Sequence, residues 1–118
     1  MPRRDPLAPL TPEQRRVTRA LQALPNVGPA VAADLVRLGV SSAADLAARE
    51  PDELYASLCA LDGRRHDPCM WDTLAAVVAH ARGEPARPWW HFTPLRKARE
   101  QRGDSPLGAY GSRPDASR

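Results

Sequence analysis

The chain has 118 residues, 42% hydrophobic and 26% charged, with a formal net charge of +3 at pH 7. That length accommodates one domain, with a folded part of about 70–85 residues once the core-poor ends are set aside. No apolar run is long enough for a membrane span or a secretory leader, so the expectation is a cytoplasmic protein without a membrane partner.

The charge is unevenly spread. Residues 1–20 carry a net +3, residues 21–81 a net −4 and residues 82–118 a net +4. Lys97 is the sole lysine. Arginine suits phosphate through its planar donor fork, although a plain compositional bias toward Arg and Ala accounts for the same pattern.

Residues 1–10 are rich in Pro and Arg and read as a flexible arm. Thr11-Pro12-Glu13-Gln14 then gives a helix start, with Thr as N-cap, Pro at the first position and Gln placed to close a capping box. Val17, Ala20, Leu21 and Leu24 repeat at helical spacing and predict a narrow buried stripe. Arg15, Arg16 and Arg19 lie off it. They are either a solvated face or a basic patch.

The helical pattern breaks over Leu24-Pro25-Asn26-Val27-Gly28-Pro29 and resumes at once. Pro25 does not fit inside a helix. Asn26 is one of the few non-glycine residues that tolerate positive φ. Gly28 leaves room for close approach, and Pro29 suits the first position of a new helix. The expectation is helix, tight hairpin, helix, with the free N–H groups of the second helix forming a cup that favours an anion such as phosphate.

This stretch resembles the helix-hairpin-helix motif of DNA-binding and repair proteins. In that motif a Leu-Pro-Gly-Val-Gly-Pro turn precedes a basic residue and then a small residue packed beneath the hairpin. Leu24, Pro25, Val27, Gly28, Pro29 and Ala32 match. Asn26 replaces the first Gly, and Ala30 replaces the frequent Lys or Arg. The resemblance implies that hairpin N–H groups hold a DNA phosphate without reading sequence, in some members with a monovalent cation on the hairpin carbonyls. The site residues it implies here are Asn26, Val27, Gly28 and Ala30. Arg37 would join them, with Arg15, Arg16 and Arg19 in support. The acidic middle of the chain works against phosphate affinity, which basic groups supply by releasing counterions, so these arginines must converge on the hairpin side.

The second helix is expected from Pro29 to Leu38, ended by Gly39 as the left-handed residue with Val40 after it. Arg37 there either reaches a phosphate or pairs with Asp34 one turn back. Ser42 and Asp45 signal a short third helix from Ala43 to about Arg49. Pro51, with Asp52 and Glu53 in the first turn, opens a fourth whose apolar face is Leu54, Tyr55, Leu58, Cys59 and Leu61. Asp67-Pro68 opens a fifth to about Arg82, with Met70, Leu74, Val77, Val78 and Ala81 inward.

The Pro-punctuated segment Glu84–Leu95 holds Trp89, Trp90 and Phe92. These either fold back to cap the core, burying about 150–250 Å² each, or form a platform that stacks on exposed bases. From Arg96 to Arg118 the chain is charged and almost free of apolar residues, so a disordered basic tail is expected.

The order of pieces carries a wider resemblance. Gly39-Val40-Ser41-Ser42-Ala43-Ala44-Asp45-Leu46, Pro51-Asp52-Glu53-Leu54-Tyr55, Leu58-Cys59-Ala60-Leu61-Asp62-Gly63, Asp67-Pro68-Cys69 and Trp89-Trp90 occur in sequence. Over about residues 17–92 this is similar to the small bacterial pathogenicity-locus family, whose members also go by the name of mitomycin-resistance proteins. The resemblance implies a compact helical domain and DNA association.

Other chemistries fit poorly. Cys59, His66, Cys69 and His80 are suitable zinc ligands by type, but they lack a tight Cys-x-x-Cys knuckle. A Cys59–Cys69 disulfide is disfavoured in the cytosol. No phosphate-loop or dinucleotide fingerprint is present, and the paired carboxylates fall at helix starts. The expectation is therefore an all-α protein, a single SAM-like domain of about five short helices over residues 11–95. It is not an enzyme, needs no cofactor and binds the DNA backbone independently of sequence. The alternative is a protein-interaction module that keeps the hairpin only for packing.

Overall fold

The computed structural model describes residues 10–108. Over that span the chain is all-α: α1 (Pro12–Leu21), α2 (Pro29–Arg37), α3 (Ala43–Ala47), α4 (Pro51–Asp62), α5 (Pro68–Ala81), a 3₁₀ turn (Trp89–Phe92) and α6 (Thr93–Gln101). No strand occurs among the described residues. The expected arm lies almost wholly outside them, although Leu10 itself is buried.

Local sequence explains most of the boundaries. Thr11 and Gln14 form a reciprocal capping box on α1. Ser42 caps α3 and Asp67 caps α5. Proline occupies the first turn of α1, α2, α4, α5 and α6, where its missing N–H has no helical partner to lose. At the end of α2, Gly39 takes φ +89°. Val40 N–H then donates to the Leu35 carbonyl and Gly39 N–H to that of Val36, the two bonds of a Schellman ending.

The long α5 is the centre of the domain. It packs against α3, α4, α6 and the 3₁₀ turn, while α1 packs on α2. Leu35, Leu46, Leu54, Tyr55, Leu58, Cys59, Leu74, Val77 and Val78 are all essentially inaccessible to solvent. Trp71 also enters this core. Leu61, expected on the buried face of α4, is instead 53% exposed.

The C-terminal part departs most from expectation. The domain does not stop at Leu95. Helix α6 runs to Gln101, Arg96 is buried on it, and Leu107 returns to the core. The reason is electrostatic. Asp72 on α5 is completely buried, and a buried carboxylate needs partners. Arg96 Nε donates to it at 2.8 Å and Thr93 Oγ1 at 2.7 Å. Arg99 reaches back to Asp52 on α4 at 2.9 Å and packs over the Trp71 ring. Much of the charge that suggests a solvated tail, that of Arg96, Arg99, Glu100 and Asp104, is spent on internal pairs; residues 109–118 of the expected tail lie outside the described residues.

Candidate functional site

The connection between α1 and α2 is a tight turn. Leu24 N–H donates to the Leu21 carbonyl and Val27 N–H to that of Leu24. Asn26 has φ +70° and is the one non-glycine residue in the left-handed region among the described residues. Its side chain does more than tolerate that conformation. The Asn26 amide nitrogen donates to the Arg87 carbonyl at 2.8 Å, and its oxygen accepts from Trp89 N–H at 3.1 Å. One side-chain amide thus clasps the aromatic segment onto the turn, a role glycine cannot fill.

The other expected donors divide. The Val27 side chain is buried and its N–H is taken by Leu24, so Val27 anchors the turn and offers no donor. Gly28, Pro29 and Ala30 are exposed. Gly28 is the N-cap of α2 with extended φ −93°, and no side chain caps this helix end. A Cβ placed on Gly28 meets nothing within 4 Å. The N–H groups of Gly28, Ala30 and Val31 have no partner among the described residues. In contrast to α4, the first turn of α2 carries no acid.

The expected arginines differ in their partners. Arg37 bonds Asp34 at 3.0 Å and also Asp62 on α4. The pairing with Asp34 one turn back is present. Arg16 pairs with Glu13 at 2.5 Å. Arg15 is half-buried, with Nε directed at the Leu10 carbonyl. Arg19, in the last turn of α1, is exposed and makes no ion pair among the described residues.

At the C-terminal end of α2, Asp62 joins Arg37 to His66, whose Nε2 lies 2.7 Å from it. Burial raises the Asp62 carboxyl, but hydrogen bonds from Arg37 and His66 outweigh it and hold the group below its ordinary range. Asp34 goes the other way, raised by burial against the attraction of Arg37. The Tyr55 hydroxyl donates to the His66 carbonyl and His66 N–H to Cys59 Sγ. His66 is therefore fixed through both backbone and ring. Burial pushes the Cys69 thiol up to about 11, which leaves it protonated and a poor nucleophile near neutrality. No cluster of three metal-ligating side chains occurs among the described residues. No described helix is long and apolar enough to cross a membrane.

The aromatic segment splits in function. Phe92 packs against the core, and Trp89 is half-buried. Trp90 is 62% exposed, with the Trp89 ring edge-on to it at 5.6 Å. Core capping thus holds for Phe92 and in part for Trp89, and fails for Trp90. A separate groove of about 430 Å³ opens where α4 begins, between α5 and α6, with Trp71, Ala75 and Val78 inside and Phe92 and Leu95 on one wall.

The pathogenicity-locus (Cdd1) family profile matches residues 14–98. The chain belongs to the pathogenicity-locus family. The matched span reaches past Leu95 into α6 and so includes Asp72, Arg96 and the Asn26 clasp. A relative in Streptomyces lavendulae, named mitomycin resistance protein McrB, is 49% identical over 77 residues, covering 65% of this chain and 73% of its own. No solved structure matches.

Proposed function

We propose that this member of the family is a sequence-independent nucleic-acid-binding protein, acting on DNA in repair or processing. In this reading the α1–α2 connection is a helix-hairpin-helix motif. The carrying observation is the uncapped amide cluster of exposed Gly28 and Ala30 and half-buried Val31, opened by a turn that Asn26 holds in the left-handed region. Such a helix end favours a phosphate oxygen through its donors and its dipole. Arg19 is the nearest exposed cation along the chain without an ion pair among the described residues. The net charge of +3 and a sequence pI near 9.4 agree with an anionic ligand. One phosphate contact is weak and strongly salt-dependent. The name of the S. lavendulae relative supports a part for this chain in tolerance of mitomycin.

Gly28→Glu tests it. The position is exposed, its φ suits any residue and there is open space for a side chain, so the variant folds. Binding to a short duplex is measured by fluorescence anisotropy at about 50 and about 200 mM salt. The wild type binds in a salt-sensitive manner, and the added carboxylate abolishes it. Equal binding by both proteins, or by neither, refutes the hairpin as the contact.

The groove favours a second reading, a protein-interaction module. Its mouth leaves Leu95 51% exposed beside an apolar interior. That reading predicts a cellular partner retained by Gly28→Glu and lost by Leu95→Glu.

A further inference from the structure

We propose that Trp90 is a base-stacking residue and that the preferred ligand is single-stranded DNA. This rests on the hairpin reading and specifies its substrate. Three observations carry it. Trp90 is the most exposed of the large apolar side chains among the described residues, although its neighbours Trp89 and Phe92 turn inward. The ring is also held in place. Trp89 packs edge-on against it, with an interplanar angle of 85°. The backbone at Trp89 is bonded to Asn26, the left-handed residue of the hairpin. Phosphate donors and the exposed ring are therefore built onto one rigid unit. Finally, the helix that follows the ring carries Lys97 and is closed by Arg102 at its C-cap, both exposed and without an ion pair among the described residues.

A lone ring suits a base better than a protein. Protein interfaces bury contiguous apolar patches of several hundred Å². Here the ring contact of Trp90 is half-buried Trp89, its chain neighbourhood includes exposed Pro88 and polar, exposed His91, and Trp90 is not among the residues lining the apolar groove. An unpaired base offers an open π-face of matching size. In an intact duplex those faces are already occupied by neighbouring base pairs, so Trp90 has nothing to stack on.

Wild type, Trp90→Ala, Trp90→Phe and Gly28→Glu are compared by anisotropy on a labelled oligo-dT strand and on a duplex of equal length, with circular dichroism confirming the fold. The strand is expected to bind more tightly than the duplex. Trp90→Ala should lose about tenfold on the strand, the scale of one stacked base, with no change on the duplex. Trp90→Phe should recover most of that loss. Unchanged strand binding by Trp90→Ala overturns the inference and leaves the hairpin reading intact, provided Gly28→Glu still abolishes binding. An equal loss on strand and duplex also overturns it, because stacking distinguishes the two. No binding of either DNA by the wild type sinks both readings.

Discussion

Asn26 shows how much one side chain decides. A left-handed φ at a turn is cheapest for glycine, and the resemblance to known hairpins places glycine at this position. The carboxamide is kept for its two long-range bonds, to Arg87 and Trp89. Asn26→Gly preserves the backbone geometry and removes only the clasp. Each neutral hydrogen bond contributes about 1 kcal/mol, so the expected loss is about 1–2 kcal/mol, offset slightly if water solvates the freed groups. Urea unfolding measures it. Hydrogen exchange should show faster opening at Trp89 with α4 unaffected. A variant as stable as wild type, with no change at Trp89, removes the clasp from the account. The positive φ was legible from residue type. The partners were not, since they lie 61 and 63 positions away along the chain.

Between elements, Arg37 ties α2 to α4 through Asp62, and His66 extends that tie into the loop before α5. The sequence reveals Asp34 as a partner because it lies one turn back on the same helix. Asp62 is visible only once α4 is laid beside α2. The linkage has a defined sign. Asp62 is held below its ordinary value of 3.8, so its contribution is present above that pH and lost as pH falls through the folded-state value. Asp34, raised by burial, gains stability from protonation over the same descent and opposes part of the loss. Asp62→Asn should cost about 0.5–1.5 kcal/mol near neutrality. That deficit should shrink toward zero as the wild type is titrated below about pH 4. Denaturant midpoints at several pH values give the curve. A deficit constant down to strongly acidic pH would mean that Asp62 acts by shape and not by charge. Helix starts were the most legible feature at this scale, because capping residues and prolines act on their immediate neighbours. The least legible was α6, whose stability comes from partners on α4 and α5.

For the molecule as a whole, the question is where the folding unit ends. Composition draws the line at Leu95, because the following residues are charged and almost without apolar side chains. The structure extends it through α6 to Leu107, because buried Asp72 requires a cation and Arg96 supplies it. Asp72 itself was the available signal: an acid on the most apolar helix, next to Trp71 and two positions before Leu74, implies a partner elsewhere. Two truncations separate these boundaries. A chain ending at Leu95 loses Arg96, Arg99 and Leu107 together. Stranding a buried carboxylate alone costs about 3–5 kcal/mol, and the removal of Leu107 from the core adds about 2 kcal/mol or more. A domain this small has about 5–10 kcal/mol in total. The truncated chain should therefore unfold non-cooperatively or melt far below the parent, whereas a chain ending at Gly108 should retain its midpoint. Arg96→Met in the full chain isolates the ion pair and should give most of the carboxylate penalty. Adding Asp72→Leu should restore much of it, because a buried pair is replaced more cheaply than it is broken. If the chain ending at Leu95 melts cooperatively at the parent's temperature, Asp72 finds solvent or another partner, and α6 is an accessory to the fold.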